Sequence, residues 1–390
     1  MDGFTVVVAL VRRADRLPLL PTRLNLQALN HRLCSSKQRR FPIRSSMFLG
    51  KVNMLKVVVT GGAGYIGSHV CKALSAKGFS PIAYDNLSRG RWAVKWGPLE
   101  EGDIADIRRL RAVLEKYEPV ALMHFAAYAY VGESRPLDYY RNNVAATAEL
   151  LQTLIDYRPL PVVFSSSCAT YGIPERVPIS EDQPQRPINP YGQSKLVVER
   201  MLVDLNAAYG LTSISLRYFN ASGADPDGEI GEAHDPETHL IPLVLTAGRA
   251  GNTIKIFGTD YETPDGTCVR DYIHVIDIAD AHLRALDCLL GGGQSCALNL
   301  ANARGHSVKE VIACAERVIG HGIRAEGAPR RPGDPAILIG SADRAHNLLG
   351  WTPTRSDLLQ QITDAWKWME KEDQSRGQRP SVMPASLTSS

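Results

Sequence analysis

The sequence lacks paired cysteines. Its seven cysteines are scattered along the chain, their number is odd, and no two of them form a CxxC pair. This usage is typical of a reducing compartment and excludes a disulfide framework. We therefore expect a cytoplasmic protein whose cysteines are mostly small core residues, and we predict no metal site.

Long hydrophobic runs and a uniform charge are also missing. The longest apolar stretch, around Val120 to Val131, contains His124 and is too short to span a bilayer. The formal net charge of +3 is uneven, because residues 1–53 hold ten Lys/Arg and only Asp2 and Asp15 as acids. The remainder has 34 basic and 39 acidic residues, so neither nucleic acid nor a membrane is expected as a partner.

The two ends of the chain differ from its middle. Residues 1–53 show neither a helical nor a strand period, and their apolar piece "FTVVVALV" has no basic stretch before it, as a secretory signal would. Two interpretations remain, a transit-like organelle extension or an upstream start before a true Met54; the second is favoured because a strand follows Met54 directly. Residues 371–390 are polar and rich in Pro and Ser, which predicts a disordered tail.

From Leu55 onward, short apolar runs alternate with helical patterns. This alternation predicts a doubly wound α/β fold with a parallel sheet. After Asn220 the pattern loosens, and residues 221–370 are interpreted as mainly a smaller C-terminal α/β domain that caps the carboxyl ends of the sheet. A segment at about 271–290 is expected to return to the main sheet. The predicted strands are LKVVVT, PIAYD, PVALMHFAA, PVVFSSS and TSISLRYF, and long helices are predicted at about 137–157 and from Pro190.

A glycine-rich turn follows the first predicted strand. In "VVVTGGAGYIGSHV", Gly61, Gly64 and Gly67 allow a tight turn, close approach of the backbone to a pyrophosphate and packing of helix on strand. Asp85 ends the second strand, where a carboxylate accepts hydrogen bonds from a ribose diol and repels a 2′-phosphate. The context therefore predicts a Rossmann-type NAD site over residues 54–220, although Asp85 could instead be a simple turn acid.

Other positions are candidates for the same nucleotide. Asp103 in "EGDI" is placed where it could meet the adenine edge, and the small residues of Phe125–Ala127 could let backbone lie along the cofactor. Asn143 is a candidate for the nicotinamide end, but an ordinary helix-surface amide is nearly as good an interpretation. For His124 the favoured interpretation is a hydrogen-bonded core histidine.

"NPYGQSKLVVER" places a phenol and an ammonium one helical turn apart. Pro190 fits the first helical position, so Tyr191 and Lys195 share a face. A phenol needs about three units of pKa depression, roughly 4 kcal/mol, to act as a base near neutrality, and a helix N-terminus supplies only about 0.3–1 kcal/mol. A nearby ammonium and an oxidised nicotinamide can supply the rest. Ser167, at the end of a strand, can share the proton.

Six segments in this order resemble the extended short-chain dehydrogenase/reductases, and more narrowly the UDP-glucose 4-epimerases. They are TGGAGYIGSH, SSSCATYG, PYGQSK, RYFNASGA, DGTCVRDYIHV and RRPGD. The resemblance covers about residues 54–370. It implies that Tyr191 is the base, that Lys195 binds the nicotinamide ribose and tunes the phenol, and that Ser167 aids proton transfer. It also implies a UDP-sugar domain at 221–370, with a homodimer formed through the helices at about 137–157 and 190–208.

The resemblance also assigns candidate contact residues. The UDP-sugar anchors fall on Asn220, Arg270, Arg331 and Asp334, and guanidinium forks suit a pyrophosphate. The remaining candidates for the cofactor are Tyr65, Ile66, Asn86, Ile104 and Tyr218. The remaining candidates for the substrate are His239, Leu240, Phe257 and Leu338.

Two departures from the family pattern are evident. Ala129 stands where many epimerases have a lysine, and Leu338, of intermediate size, stands where bulky 2-substituents are gated. The expected reaction is interconversion of UDP-galactose and UDP-glucose through a 4-keto sugar that turns over between two hydride transfers. Alternatives are a UDP-arabinose/UDP-xylose 4-epimerase, a 4,6-dehydratase and a non-catalytic NAD-binding scaffold. The dehydratase is disfavoured because Cys168 and Ala169 stand where its acidic pair would be.

Overall fold

A seven-stranded parallel sheet forms the centre of the computed structural model, which describes residues 54–89, 95–129, 135–331 and 333–377. The predicted doubly wound sheet is confirmed. The extension over residues 1–53 lies outside the described residues. In spatial order the strands are β10 (Cys296–Leu300), β6 (Ser213–Tyr218), β5 (Val162–Ser167), β4 (Ala121–His124), β1 (Lys56–Thr60), β2 (Ser80–Asp85) and β3 (Leu99–Glu101).

The strand order reverses between β1 and β4. The chain proceeds outward from β1 to β2 and β3, then crosses back to place β4 on the other side of β1. Ligands of open α/β sheets bind at the carboxyl ends of the strands at such a reversal. Here Thr60 pairs with His124 at that edge, so the glycine loop after Thr60 and the segment after His124 meet there.

Two layers of helices cover the sheet. Strands β4 and β5 are buried along their whole length and β1 is buried except at Lys56, so these strands need apolar cover on both faces. One layer consists of α1 and α7, and the other consists of α2, α4 and α5. The bounds are α1 (Tyr65–Ala76), α2 (Ile107–Tyr117), α3 (Pro136–Tyr139), α4 (Ala146–Tyr157), α5 (Pro190–Tyr209) and α7 (Val275–Leu290), with a π-helical turn at Tyr140–Ala145 between α3 and α4.

A second, smaller core lies after Asn220. Its helices α6 (Leu240–Ala250), α8 (Val308–Ile319) and α10 (Leu358–Gly377) bury apolar residues against one another. Its strands pair as β11 (Gly305–Ser307), β9 (Val269–His274) and β13 (Ile337–Leu338), with β7 (Asn220–Ser222) on β9, and as β12 (Ala325–Ala328) on β8 (Ile254–Phe257).

The chain returns to the large sheet more extensively than the sequence indicates. Besides α7, the edge strand β10 and helix α9 (Asp343–Leu349) pack there, and the fully buried Trp351 donates its Nε1–H to the carbonyl of Asp277. The tail predicted from residue 371 also needs correction, because α10 continues to Gly377 and is anchored by the buried Trp368 and Met369. None of the helices in the described part of the chain could cross a membrane.

Candidate active site

A cavity of about 850 Å³ lies at the carboxyl edge of the sheet, where the strand order reverses. Its walls come from the glycine loop, the segments that follow β2 and β4, the start of α5, and the loops after β7 and before β13. Most of the residues predicted to bind cofactor or substrate line this one cavity. Those that do are Gly61, Gly64, Tyr65, Ile66, Gly67, Asp85, Asn86, Ile104, Phe125, Ala126, Ala127, Ser167, Tyr191, Lys195, Tyr218, Asn220, His239, Leu240, Arg270, Arg331, Asp334 and Leu338.

The glycine loop packs closely against the segment that follows β4, and Gly61 permits this contact. Gly61 has a φ of +69°, and a Cβ there would lie 2.7 Å from the amide nitrogen of Ala126. Helix α1 begins after Gly64, which provides no side-chain cap, so the first N–H groups of the helix are available to an anion. This cradle fits the pyrophosphate of a dinucleotide.

Asp85, at the end of β2, lies directly against the glycine loop and is 8% exposed. Its Oδ2 accepts a hydrogen bond from the N–H of Ala63 at 3.0 Å, and its Oδ1 accepts one from the N–H of Leu87 at 2.8 Å. Burial raises the pKa of this carboxyl, and the two N–H donors oppose that rise. The carboxylate is thus held rigidly with lone pairs left for a ribose diol.

Tyr191 and Lys195 lie in the first turns of α5, which the side chain of Asn189 caps by accepting the N–H of Gly192 at 2.8 Å. Both are buried, at 9% and 3% exposure. The Nζ of Lys195 donates to the carbonyl of Ser165 at 2.7 Å and lies 5.9 Å from the centroid of the Tyr191 ring. The pair therefore shares one face of the helix, as the spacing predicts.

Burial dominates the ionisation of both groups. It raises the pKa of Tyr191 to about 12, and a hydrogen bond with Ser167 opposes part of that rise. Burial lowers the pKa of Lys195 to about 7, while the nearby Glu199 acts in the opposite direction. In the protein alone the phenol is therefore protonated at neutral pH, and a positive charge beside it is needed to make it a base.

A buried ion pair beneath the site was missed by sequence reasoning. Arg217 donates to Glu199 through Nη2 at 2.6 Å and Nε at 2.9 Å, and to the hydroxyl of Tyr171 at 2.8 Å. The hydroxyl of Ser166 also donates to Glu199. Glu199 is one turn beyond Lys195 on α5 and Arg217 points inward from β6, so the pair fixes α5 against the sheet. A charged residue inside an apolar strand is the signal that could have found it.

The arginines expected to hold a pyrophosphate lie at the far end of the cavity. Arg270 is 9% exposed and donates through Nη2 to Asp334 at 2.5 Å. The guanidinium of Arg331 lies 4.2 Å from the centroid of the Phe257 ring. Leu338 pairs in register with Arg270 on the neighbouring strand, which puts it at the same wall.

Three predicted contact residues do not line the cavity. Asn143 is buried in the π-helical turn, where its amide binds both backbone groups of Tyr128, the N–H at 2.8 Å and the C=O at 2.9 Å, so it orders the cavity wall from behind. Asp103 accepts from the side-chain amide of Asn86 at 2.8 Å instead of facing the pocket. Phe257 reaches the site only through Arg331.

His124 is the hydrogen-bonded core histidine that was favoured. Its Nδ1 lies 2.7 Å from the Thr60 hydroxyl, and its Nε2 lies 3.0 Å from the Thr147 hydroxyl. Burial and, to a smaller extent, Lys195 lower its pKa to about 3. The ring is therefore neutral and structural.

Two further features were not predicted. Ala129 lines the cavity, and so does Arg89 from the loop after β2. The guanidinium of Arg89 lies 5.7 Å from the centroid of the Tyr128 ring. In the loop before α6, Glu232, His234, Glu237 and His239 converge, although no metal ligands were predicted. Sequence spacing alone gave no known ligand pattern for these four.

The comparisons with known proteins all identify relatives of one enzyme family. The model of a family described as "NAD dependent epimerase/dehydratase family" matches residues 57–301. The UDP-glucose 4-epimerase of Rhizobium meliloti (strain 1021) is 51% identical over 323 residues, which is 82% of this chain and 98% of the relative.

Two solved structures share the fold across most of the chain. The UDP-glucose 4-epimerase from Brucella ovis in complex with NAD is 51% identical with a TM-score of 0.79, over 80% of this chain and 98% of that one. The UDP-glucose-4-epimerase from Stenotrophomonas maltophila, with bound NAD and formylated UDP-arabinopyranose, is 38% identical with a TM-score of 0.79, over 82% of this chain and 99% of that one.

Proposed function

The chain belongs to the NAD dependent epimerase/dehydratase family, and we propose that it inverts C4 of a UDP-sugar, interconverting UDP-galactose and UDP-glucose, with the residues named below. NAD is the cofactor, as in the related complexes. The observation that carries the proposal is the pairing of Tyr191 with Lys195 in the same cavity as the glycine cradle. That cradle and Asp85 would hold the dinucleotide.

Bound NAD+ supplies a reversible hydride acceptor for C4 and, by its charge, favours ionisation of a neighbouring phenol. Tyr191 takes the proton of the sugar 4-OH and returns it to the oxygen of the 4-keto group after the sugar has turned to present its other face to the hydride donor. Ser167 shares this proton through its hydroxyl, and Lys195 stabilises the phenolate. No second base is required, because the same tyrosine serves both directions.

Inversion requires a firmly held nucleotide and a sugar that can turn. Arg270 and Arg331 are suited to the pyrophosphate, since guanidinium groups bind phosphate oxygens through charge-assisted pairs of hydrogen bonds. The pairing of Arg270 with Asp334 orients its fork in advance. The sugar then faces the smaller side chains near Ser167 and Leu338, which leave it freedom to rotate.

A dehydratase is disfavoured by the residues that follow Ser167. Elimination of water across C5–C6 needs an acid and a base besides the tyrosine. Cys168 occupies the first of these positions, and burial raises the pKa of its thiol to about 12, so it is an inert neutral group. Ala169 cannot transfer a proton.

The pentose alternative rests on a specific observation. A relative with 38% identity is known with a UDP-arabinopyranose derivative, and Leu338 sets a wall of intermediate size here. We retain UDP-glucose and UDP-galactose as the preferred pair and treat UDP-arabinose and UDP-xylose as the competing pair.

Mixing the purified full-length chain with UDP-galactose, without added NAD, tests the assignment. We expect UDP-glucose to form until the two sugars reach equilibrium, with no net change in bound NAD. If the protein converted UDP-arabinose to UDP-xylose faster than UDP-galactose to UDP-glucose, the preferred substrates would be the pentose pair. Accumulation of a product lighter by one water would indicate a dehydratase, and no conversion of any sugar would indicate a scaffold.

A cytoplasmic homodimer completes the proposal. The six cysteines in the described part of the chain are all free, which suits a reducing compartment. Leu137 on α3 and Val203 on α5 are 61% and 66% exposed, on two helices that contact each other. Apolar side chains exposed on adjoining helices favour a two-fold helical interface, which the mass of the protein in solution would test.

A further inference from the structure

Four potential metal ligands converge in the loop between β7 and α6. Glu232, His234, Glu237 and His239 each offer one ligand atom, and these atoms all lie within 4.8 Å of one another. Imidazole nitrogens and carboxylate oxygens are both ligands of Zn²⁺, at about 2.0–2.2 Å from the metal. The set of four therefore has the composition and the closeness of a metal site.

Glu232 is the centre of this group. It is 8% exposed, its Oε1 lies 3.3 Å from the Nδ1 of His234, and the same oxygen contacts the Nδ1 of His239. The rings of His234 and His239 stand at 90° with centroids 5.3 Å apart, and both place Nδ1 beside the same oxygen of Glu232. An ion would bind by entering between these nitrogens and that oxygen.

Glu237 closes the group from the other side. Its Oε1 lies 3.6 Å from the Nδ1 of His234. The same oxygen accepts the N–H of Thr238 at 2.7 Å and the N–H of His239 at 2.9 Å. These two backbone donors fix the carboxylate in place, as outer-shell hydrogen bonds fix the ligands of known metal sites.

A divalent ion would have to replace protons at this group. Burial opposes protonation of the two imidazoles, but the neighbouring carboxylates outweigh it and raise the pKa of both, that of His234 to about 10. Once both protons have left, the two carboxylates balance the charge of one divalent cation. A second acidic group lies nearby, in which Asp225, Asp227 and Glu229 surround the Nζ of Lys72 at 2.7–2.9 Å and are paired with that ammonium. We assign no metal to that second group.

We propose that Glu232, His234, Glu237 and His239 bind one Zn²⁺ ion that fastens the loop before α6 to the wall of the cavity. Four protein ligands make a closed tetrahedral site, which is the structural type and not the catalytic type. His239 is the residue that precedes α6, and the ring of His234 meets Tyr65 of α1 edge-on at 6.4 Å. The ion would thus tie this loop to α6 beside the cofactor cradle. The proposal does not depend on which reaction the cavity performs.

Zinc binding by the untagged full-length protein tests this proposal directly. After treatment with a chelator and dialysis, the protein is titrated with ZnCl₂ by calorimetry, and its metal content is measured after free ion is removed. We expect one equivalent of Zn²⁺ and a higher melting temperature for the zinc-loaded form. Loss of an outer-shell partner of a metal ligand weakens metal binding by about 10–100-fold. Glu232→Gln and His234→Gln each remove a ligand, so each should weaken zinc binding by more than that.

Two matched variants control for adventitious binding. His321→Gln removes an exposed histidine elsewhere, and Asp227→Asn removes a carboxylate from the acidic group around Lys72. Both should keep the full equivalent. If these variants lost the ion while Glu232→Gln kept it, or if the wild-type protein bound no stoichiometric zinc, the proposal would be overturned.

Cobalt provides a readout that does not need a variant to fold. Co²⁺ in a four-coordinate site absorbs visible light much more strongly than six-coordinate Co²⁺. The wild-type protein loaded with one Co²⁺ should show the intense spectrum, and Zn²⁺ should displace it. A weak six-coordinate spectrum would mean that these side chains do not enclose the ion, and the proposed site would be wrong.

Discussion

Replacing Lys195 with methionine should raise the pKa of the catalytic phenol. Burial sets the pKa of Tyr191 at about 12 in the protein alone. Bringing it to neutrality requires about five units, or roughly 7 kcal/mol. The Nζ of Lys195 lies 5.9 Å from the phenol ring centroid. At an effective dielectric of about 20 that separation stabilises the phenolate by about 3 kcal/mol when Lys195 is protonated. Burial lowers the pKa of Lys195 to about 7 in the protein alone, and an adjacent phenolate would raise it again and keep the ammonium charged.

The N-terminus of α5 adds about 0.3–1 kcal/mol, so the ammonium and the helix end together supply about 4 of the roughly 7 kcal/mol. The positive charge of an oxidised nicotinamide bound in the same cavity would supply the remainder. Without the ammonium, the pKa of Tyr191 should therefore rise by about two units. The rate near pH 7 should fall about 100-fold, because the phenolate fraction falls by that factor.

The assay is conversion of UDP-galactose at saturating substrate between pH 6 and pH 9, normalised to bound NAD. Below its pKa the phenolate fraction rises about tenfold per pH unit, so the Lys195→Met variant should regain activity as pH increases. Lys77→Met, at the exposed end of α1, is the matched control and should behave as wild type. A deficit of Lys195→Met that stays constant at every pH, or a loss of less than threefold, would refute the electrostatic role.

Three further substitutions test the supports of the site. Gly61→Ala should yield protein without bound NAD because its Cβ would lie 2.7 Å from a backbone nitrogen, whereas Gly78→Ala, also at positive φ but in open space, should bind NAD normally. His124→Gln should lower the free energy of unfolding by about 1–3 kcal/mol in a denaturant titration, while the rate per bound cofactor stays within twofold. Arg217→Met should lower the free energy of unfolding by about 3–5 kcal/mol, because Glu199 would stay buried without its partner. Adding Glu199→Gln should restore part of that loss. Equal stability of the single and double variants would contradict this reasoning.

The sequence predicts most of the large sheet because its signals are local. Short β-branched runs such as Val57–Val59, followed by a glycine-rich turn, favour central strands, and the proline of α5 with Asn189 before it indicates a helix start. The long helix expected at 137–157 does extend from Pro136 to Tyr157. Its π-helical turn was not predicted; within that turn Asn143 makes a tertiary contact with Tyr128.

Features that depend on contacts between residues far apart in the sequence were not predicted. Strand β10 has only the short apolar run of Leu298 and Leu300 to mark it, and it becomes a strand by pairing with β6. The Glu199–Arg217 pair joins a helix to a strand 18 residues later, and no spacing rule connects them. Asn143, a candidate for the nicotinamide end, binds the backbone of Tyr128, and no local sequence pattern indicates that contact.

The most direct test of the account is the turnover of Tyr191→Phe measured together with its bound NAD. The substitution removes only the phenolic oxygen, and a general base or acid contributes about 10²–10⁴-fold to a rate. We predict that conversion of UDP-galactose falls by at least about 100-fold while NAD remains bound at the wild-type stoichiometry. A variant that keeps its cofactor and turns over within tenfold of wild type would show that Tyr191 is not the group that moves the proton.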